Sequence, residues 1–152
     1  MINIAFEDRF EGSGIPDQQS LARWVGWAEA HCKNCELGIT VVGTDESRAL
    51  NARWRGIDRA TNVQSFPLEM PPGDAPTLLG DIVICAPLVE SEAARDGISP
   101  EAHWAHLVVH GVLHLLGFDH EQDEDAIVME DKERAVLAGL GFPDPYAATI
   151  EK

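Results

Sequence analysis

Three histidines, His110, His114 and His120, have the spacing of a metal site, because three residues separate the first pair and five separate the second. Histidines four positions apart lie on one face of a helix, one turn from each other. Gly117 follows the first pair and is a natural helix end, so the chain can turn there and bring His120 back to the same point. Three imidazole nitrogens around one ion leave a fourth position open, which is typical of catalytic rather than structural zinc sites.

An open site of this kind predicts hydrolytic chemistry, because zinc with three protein ligands lowers the pKa of water to ~7. Three imidazoles favour zinc, although nickel, cobalt and copper can bind the same ligands. Asp119 precedes the third histidine, and it could either orient an imidazole or serve only as a turn residue. His103 and His106 extend the same helical stripe, and we expect them to line the cleft or lie at the surface rather than bind metal.

The helix that must position the first two histidines has clear start and stop signals. Ser99 is a favourable N-cap, Pro100 suits the first helical position, and Glu101 complements the positive end of the helix dipole. Gly117 supplies the stop. The apolar bulk that buries such a helix comes from Leu107, Val108, Leu113, Leu115 and Leu116.

The string HGVLHLLGFDH, residues 110–120, closely resembles the signature of the YbeY family of bacterial endoribonucleases, also called rRNA maturation factors. The resemblance implies that His110, His114 and His120 bind one zinc ion per chain, and that His114 belongs to the catalytic site. Zinc proteases carry a glutamate directly after their first metal-binding histidine, whereas Gly111 stands at that position here. A peptidase would therefore lack its expected general base, and for the ribonuclease we leave the general base unassigned.

A second stretch, LNARWRGIDRATNVQSFP at residues 50–67, resembles the other signature of the same family. By this resemblance Arg55 matches an invariant arginine that acts on RNA phosphate, a task that suits the planar guanidinium fork. The residues alone also allow a simpler interpretation, in which Arg53 and Arg55 complement the negative end of a helix dipole. Gln64 departs from the family pattern, where an apolar residue is usual.

The charge of the chain argues against a general affinity for nucleic acid. The formal net charge is −15, and an acidic field repels phosphate. Residues 48–59 are the exception, since they hold four arginines and one aspartate, a local charge of +3. That cluster can hold one phosphate or a short strand, although a solvated helix face with a few arginines would look the same.

Length and composition indicate one domain over residues 1–152, with no membrane-spanning segment and no signal peptide, so we expect a cytoplasmic protein. Three cysteines are too few and odd in number for a disulfide framework. Cys32 and Cys35 form a lone C-x-x-C, which fits neither a thioredoxin motif nor a zinc ribbon. Their role stays open, and we expect Cys32 simply to belong to a buried face.

The remaining pattern predicts alternating strands and helices in an α+β fold, with a small mixed sheet of about four strands covered by helices. Strands are expected at 2–6, 37–42 and 79–85, and the resemblance to the family implies a further strand at 62–66. Helices are expected after Asp17 or Ser20, from Thr44 to Gly56, around 90–95 and before Gly139 and Gly141. We expect core positions at Trp24, Trp27, Leu50, Trp54, Val128, Met129, Val136 and Leu140. The acids of the last helix are expected on a solvated face.

The resemblance implies a zinc-dependent endoribonuclease specific for single-stranded RNA, with a metalloprotease-like metal-binding helix. The implied roles are maturation of the 16S rRNA 3′ end and ribosome quality control. Expected partners are single-stranded rRNA, the small ribosomal subunit, a small-subunit ribosomal protein and an Era-type GTPase, with no membrane and no DNA partner. Two alternatives stay open: a non-catalytic ribosome-binding assembly factor with structural zinc, which the acidic charge favours, and a metal-dependent peptidase.

Overall fold

The computed structural model describes residues 2–68, 77–118 and 122–146. Within these ranges four strands form one sheet: β1 Ile2–Asp8, β2 Cys35–Val42, β3 Val63–Pro67 and β4 Thr77–Cys85. Five helices and a 3₁₀ turn at Gly26–Ala30 accompany them: α1 Gln18–Val25, α2 Thr44–Arg55, α3 Ala86–Asp96, α4 Pro100–Leu115 and α5 Asp123–Gly139. None of these helices is long and apolar enough to cross a membrane.

The sheet has the strand order β1-β2-β4-β3. The first three strands in that order run parallel, and β3 pairs antiparallel with β4 at the edge. Parallel neighbours need long crossover connections, which α1 and α2 supply. The predicted α+β fold with a small mixed sheet is confirmed.

Helix α4 lies at the centre of the packing, against α1, α3, α5, β3 and β4. Its predicted ends are confirmed, because the Ser99 hydroxyl accepts a hydrogen bond from the Ala102 amide at 3.1 Å, and Gly117 adopts a φ of 101° beyond the last turn. A helix that is apolar on most of its circumference must be buried on most of it. Its fully or nearly buried apolar residues are Trp104, Ala105, Leu107, Val108, Val109, Val112, Leu113 and Leu115.

Gly111 allows α4 to lie close to the sheet. A Cβ atom at this position would be 2.9 Å from the Ile82 Cγ2 atom of β4, and Ile82 is completely buried. A side chain at this position would have to displace the buried Ile82 side chain. The glycine that separates this chain from the zinc proteases therefore also serves the close packing of α4 on β4.

Helix α2 departs from its predicted orientation. Trp54, expected in the core, is 59% exposed, and Leu50 is only half-buried. The buried positions are the polar residues Ser47 and Asn51, which bond to the segment after the helix. Hydrophobicity alone pointed to the wrong face, because this helix is anchored by hydrogen bonds rather than by apolar packing. Thr44, predicted as the cap, is the first helical residue, and Gly43 occupies the N-cap position.

Helices α3 and α5 also differ from the prediction. The short helix expected around residues 90–95 is the full helix Ala86–Asp96. Val128 is 57% exposed rather than inward, while Met129 and Leu137 are buried and Val136 and Leu140 pack partly against the core. The expectation of a solvated acidic face on α5 is wrong for Glu133, which is completely buried.

The tryptophans of the first helical region pack largely as predicted, since Trp24 is buried and Trp27 is partly buried against the core. The two cysteines that follow are joined as a Cys32–Cys35 disulfide, a pairing that the sequence did not predict. Cys35 is completely buried at the start of β2, and Cys32 is partly buried. Cys85 is a free, buried cysteine at the end of β4.

Gly80→Ala should destabilise the fold strongly. Gly80 has a φ of 135°, and a Cβ atom there would overlap the Phe66 carbonyl oxygen of the neighbouring strand. We expect the free energy of unfolding to fall by about 3 kcal/mol, measured by urea denaturation. Gly26→Ala is the matched control, because it has a negative φ and no neighbouring atom lies within 4 Å of the position that the new methyl group would take. Equal stability of the two variants would contradict this account of the β3–β4 edge.

Candidate metal centre

Helix α4 carries four histidines in one stripe, and each ring contacts a glutamate or another histidine. The His103 Nε2 atom lies 2.8 Å from the Glu92 Oε1 atom of α3. His106 and His110 both contact the carboxylate of Glu133 on α5. The His110 and His114 Nε2 atoms lie 3.2 Å apart. The stripe therefore divides into a pair held by Glu92 and Glu133 at its start and a pair of approaching nitrogens at its end.

Glu133 is the centre of a buried hydrogen-bond network. Its Oε1 atom is 2.8 Å from His110 Nδ1, and its Oε2 atom is 2.7 Å from both His106 Nε2 and the Tyr146 hydroxyl. Burial raises the pKa of Glu133, but hydrogen bonds from His106, His110 and Tyr146 outweigh it and lower that pKa to about 2. Burial and the bond to the Glu133 carboxylate together raise the pKa of the Tyr146 hydroxyl.

The charge of Glu133 determines the tautomer of His110. An ionised carboxylate has no hydrogen to donate, so the Nδ1–H group of His110 must be the donor. In a neutral imidazole the other nitrogen, Nε2, then carries the lone pair. That Nε2 atom is the one that approaches His114. Glu133 thereby directs the lone pair of His110 Nε2 away from the buried side of the helix.

The separation of the two Nε2 atoms fits two ligands of one ion. Nitrogens that each lie 2.0–2.1 Å from a tetrahedral zinc ion are roughly 3.3 Å apart. The observed distance between His110 Nε2 and His114 Nε2 is 3.2 Å. Sequence spacing predicted that these two imidazoles meet, and the structure brings them together.

A second set of potential ligand atoms lies on the buried side of the same helix. His106, His110 and Glu133 each offer one ligand atom, and these atoms lie within 4.8 Å of one another. All of them already form hydrogen bonds at 2.7–2.8 Å, which an ion at that point would have to replace. The arrangement matches a carboxylate that orients a metal-binding histidine through its other nitrogen.

Two further predictions about the histidines have different outcomes. His103 and His106 do not lie at the surface and do not line the cleft described below, because Glu92 and Glu133 bind them in the protein interior. His120, the third predicted ligand, lies outside the described residues, as do Asp119 and Glu121. The cluster that the structure describes therefore contains two of the three predicted ligands.

His110 and His114 line one wall of a cleft of about 720 Å³. The opposite walls come from the end of α2, the segment after it and β3. The remaining lining residues are Trp54, Arg55, Thr61, Asn62, Val63, Gln64, Ser65, Phe66 and Pro67. The Ser65 hydroxyl donates to the Gly111 carbonyl oxygen at 3.2 Å, which connects β3 directly to α4.

Arg55 is exposed at the last position of α2 and lines this cleft. Within the described part of the chain it forms neither an ion pair nor a side-chain hydrogen bond. Its guanidinium group can therefore meet an anionic ligand without first breaking a bond to a described carboxylate. Sequence resemblance pointed to Arg55, and the structure places it in the same cleft as the two histidines.

Buried polar contacts hold α2 in position beside the cleft. The Ser47 hydroxyl donates to the Thr61 carbonyl oxygen at 2.8 Å and accepts from the Thr61 amide at 3.0 Å. The Asn51 amide donates to the Arg59 carbonyl oxygen at 2.8 Å and accepts from the Gln64 amide at 3.0 Å. Gln64, the departure from the family pattern, is thus buried as an apolar residue would be, and it links β3 to α2.

Sequence reasoning missed Glu133, although a signal was present. Met129, Glu133 and Leu137 are four positions apart, so the glutamate lies in the middle of an apolar stripe. A charged residue at a core position needs a buried partner, and the histidine stripe of α4 was the available source.

Comparison with known proteins agrees with the site. The family model described as Endoribonuclease YbeY matches residues 17–141. Endoribonuclease YbeY of Halorhodospira halophila is 50% identical over 150 residues, covering 95% of this chain and 96% of that protein. Endoribonuclease YbeY of Alkalilimnicola ehrlichii is 56% identical over 140 residues, covering 88% and 84% of the two chains.

A solved structure is also similar. The solution structure of TM1509 from Thermotoga maritima superposes with a TM-score of 0.57 at 28% sequence identity, covering 92% of this chain and 91% of that chain. The fold, the two sequence signatures and the whole-length relatives therefore agree. The resemblance inferred from the sequence is confirmed, and the chain belongs to the endoribonuclease YbeY family.

Proposed function

We infer that this chain is a zinc-dependent endoribonuclease that cleaves single-stranded RNA. The observation that carries this inference is the cleft in which the paired imidazoles of His110 and His114 face Arg55. Zinc ligands on one wall and an arginine on the other are the two groups needed at a phosphate undergoing attack. The names of the relatives support RNA as the substrate.

His110, His114 and His120 would hold the ion. The 3.2 Å separation of two Nε2 atoms supports this ligand set, and so does the carboxylate that fixes the tautomer of His110. Zinc is the metal that three imidazoles with an open position favour. When bound, such an ion supplies Lewis-acid stabilisation at a phosphate oxygen and makes water more acidic at neutral pH.

Arg55 would bind the phosphate and offset the negative charge that increases on it during cleavage. The backbone of α2 beside the cleft is held by the buried hydrogen bonds of Ser47 and Asn51, which positions Arg55 at the cleft wall. A peptidase is disfavoured, because Gly111 stands where zinc proteases have their glutamate, and a side chain there would have to displace Ile82.

The cellular role that we propose is maturation of the 16S rRNA 3′ end and ribosome quality control in the cytoplasm. Membership of the family supports this role, and the partners would be the small ribosomal subunit, one of its proteins and an Era-type GTPase. The net charge of −15 suits contact with basic ribosomal proteins, while Arg55 in the cleft would serve the RNA.

Glu133→Gln should weaken zinc binding by about 10–100-fold, because an amide cannot accept hydrogen bonds from all three donors that the carboxylate binds. Affinity is measured by competition with a chelator of known strength. Glu130→Gln makes the same chemical change on the same helix at a residue that pairs with Arg134 and forms no hydrogen bond to Glu133, and it should bind zinc as the parent does. Equal affinity of all three proteins would show that Glu133 does not orient the site.

Cleavage of single-stranded RNA by the zinc-loaded protein tests the proposed function. We expect His114→Ala to lose activity to background and Arg55→Ala to lose about 100-fold or more in kcat. Arg95→Ala is the control, because it removes an exposed arginine that pairs with Asp96 outside the cleft. All variants are purified identically to exclude a contaminating nuclease.

Two results would contradict the assignment. Equal cleavage by the parent and His114→Ala would show that the predicted metal site does not carry out the reaction. A zinc-loaded parent that binds small ribosomal subunits but cleaves no RNA would instead favour the non-catalytic assembly factor.

A further inference from the structure

Trp54 is an unusual residue in this fold, because a large aromatic side chain is 59% exposed at the mouth of the cleft. An aromatic side chain left in water does not contribute the stabilising free energy that its burial in the core would supply. The helix does not need the side chain for anchoring, since Ser47 and Asn51 hold α2 through buried hydrogen bonds. The position of Trp54 is therefore better explained by a ligand than by folding.

The ring of Trp54 is held in place by two neighbours. Phe66 of β3 packs against it with ring centroids 6.2 Å apart and an interplanar angle of 68°. The Arg53 guanidinium lies 5.1 Å from the ring centroid of Trp54, within the range of a cation–π contact. A ring positioned in this way loses little further freedom when a flat ligand stacks on it.

The same wall of the cleft carries positive charge. Arg55 directly follows Trp54, lines the cleft and forms no ion pair within the described residues. An aromatic ring beside guanidinium groups offers both a stacking surface and phosphate contacts, the two features that proteins use to bind single-stranded nucleic acid. A ligand that carries only negative charge would use only the guanidinium groups, and a purely apolar ligand would use only the aromatic ring.

We propose that Trp54, supported by Phe66, is the stacking site for one nucleobase of the single-stranded RNA whose phosphate Arg55 binds. This assignment rests on the proposed function and adds a base-binding position to it. Stacking does not depend on base identity, because every nucleobase has a π-face. The site would therefore favour unpaired over paired nucleotides rather than one sequence over another, since a base within a duplex is already stacked on both sides.

The test is binding of a short, end-labelled, single-stranded oligoribonucleotide to the zinc-loaded protein, recorded by stopped-flow anisotropy before cleavage proceeds. A second series replaces one nucleotide at a time with an abasic nucleotide. The protein variants are Trp54→Ala, Trp54→Tyr, which keeps an aromatic ring, and Ile127→Ala, which removes a 61% exposed apolar side chain that is not part of the cleft. Thermal unfolding confirms that each variant is folded.

We expect Trp54→Ala to raise the Kd for intact RNA by about tenfold, within the range measured for one stacked base, while Trp54→Tyr and Ile127→Ala bind nearly as the parent does. In the parent, one abasic position should weaken binding by a similar factor, and that loss should be absent in Trp54→Ala. Parent-like binding by Trp54→Ala, or the same abasic losses in both proteins, would overturn the stacking site. A parent that binds RNA with this pattern but does not cleave it would leave the stacking site standing and overturn the proposed function, whereas a parent that binds no RNA would overturn both.

Discussion

The carboxylate of Glu133 is completely buried, and it accepts hydrogen bonds from two imidazoles and one phenol. A buried charge is tolerated only when such partners compensate for its lost hydration. These bonds connect α5 and Tyr146 to α4, so the register between the two helices is determined at this point. The same bonds leave the Nε2 atom of His110 directed toward His114, where a metal ion can bind. The packing of α5 on α4 and the orientation of His110 in the cleft thus both depend on the Glu133 carboxylate.

The opposite side of the cleft is built on a different principle. Helix α2 buries two polar residues and exposes its tryptophan, an inversion of the usual amphipathic pattern. Hydrogen bonds from Ser47 and Asn51 fix the segment after the helix, and the Gln64 amide joins this network from β3. The consequence is a rigid wall whose exposed side chains are not needed to anchor the helix. Arg55 and Trp54 are the residues that this wall presents to the cleft.

Local signals in the sequence were sufficient for α4, since a cap, a proline and a terminal glycine mark both of its ends. Three of the strands could also be predicted from their apolar and β-branched runs, whereas β3, with the sequence NVQSF at residues 62–66, could be placed only through the resemblance to the family. The site residues from other elements were harder. Glu133 was assigned to a solvated face and Trp54 to the core, and both errors have one cause. Hydrophobicity ranks side chains by their average preference, whereas these two positions are determined by a specific partner in another element.

The central claim is that Glu133 determines which ring nitrogen of His110 is available to a metal. Long-range ¹H–¹⁵N NMR correlation spectra of the histidine rings in the metal-free protein test it most directly, because they distinguish protonated from unprotonated ring nitrogens. The account predicts that the neutral His110 ring carries its proton on Nδ1 and a lone pair on Nε2. It also predicts that this preference is lost in Glu133→Gln. A proton found on Nε2 with Nδ1 bare would contradict the account.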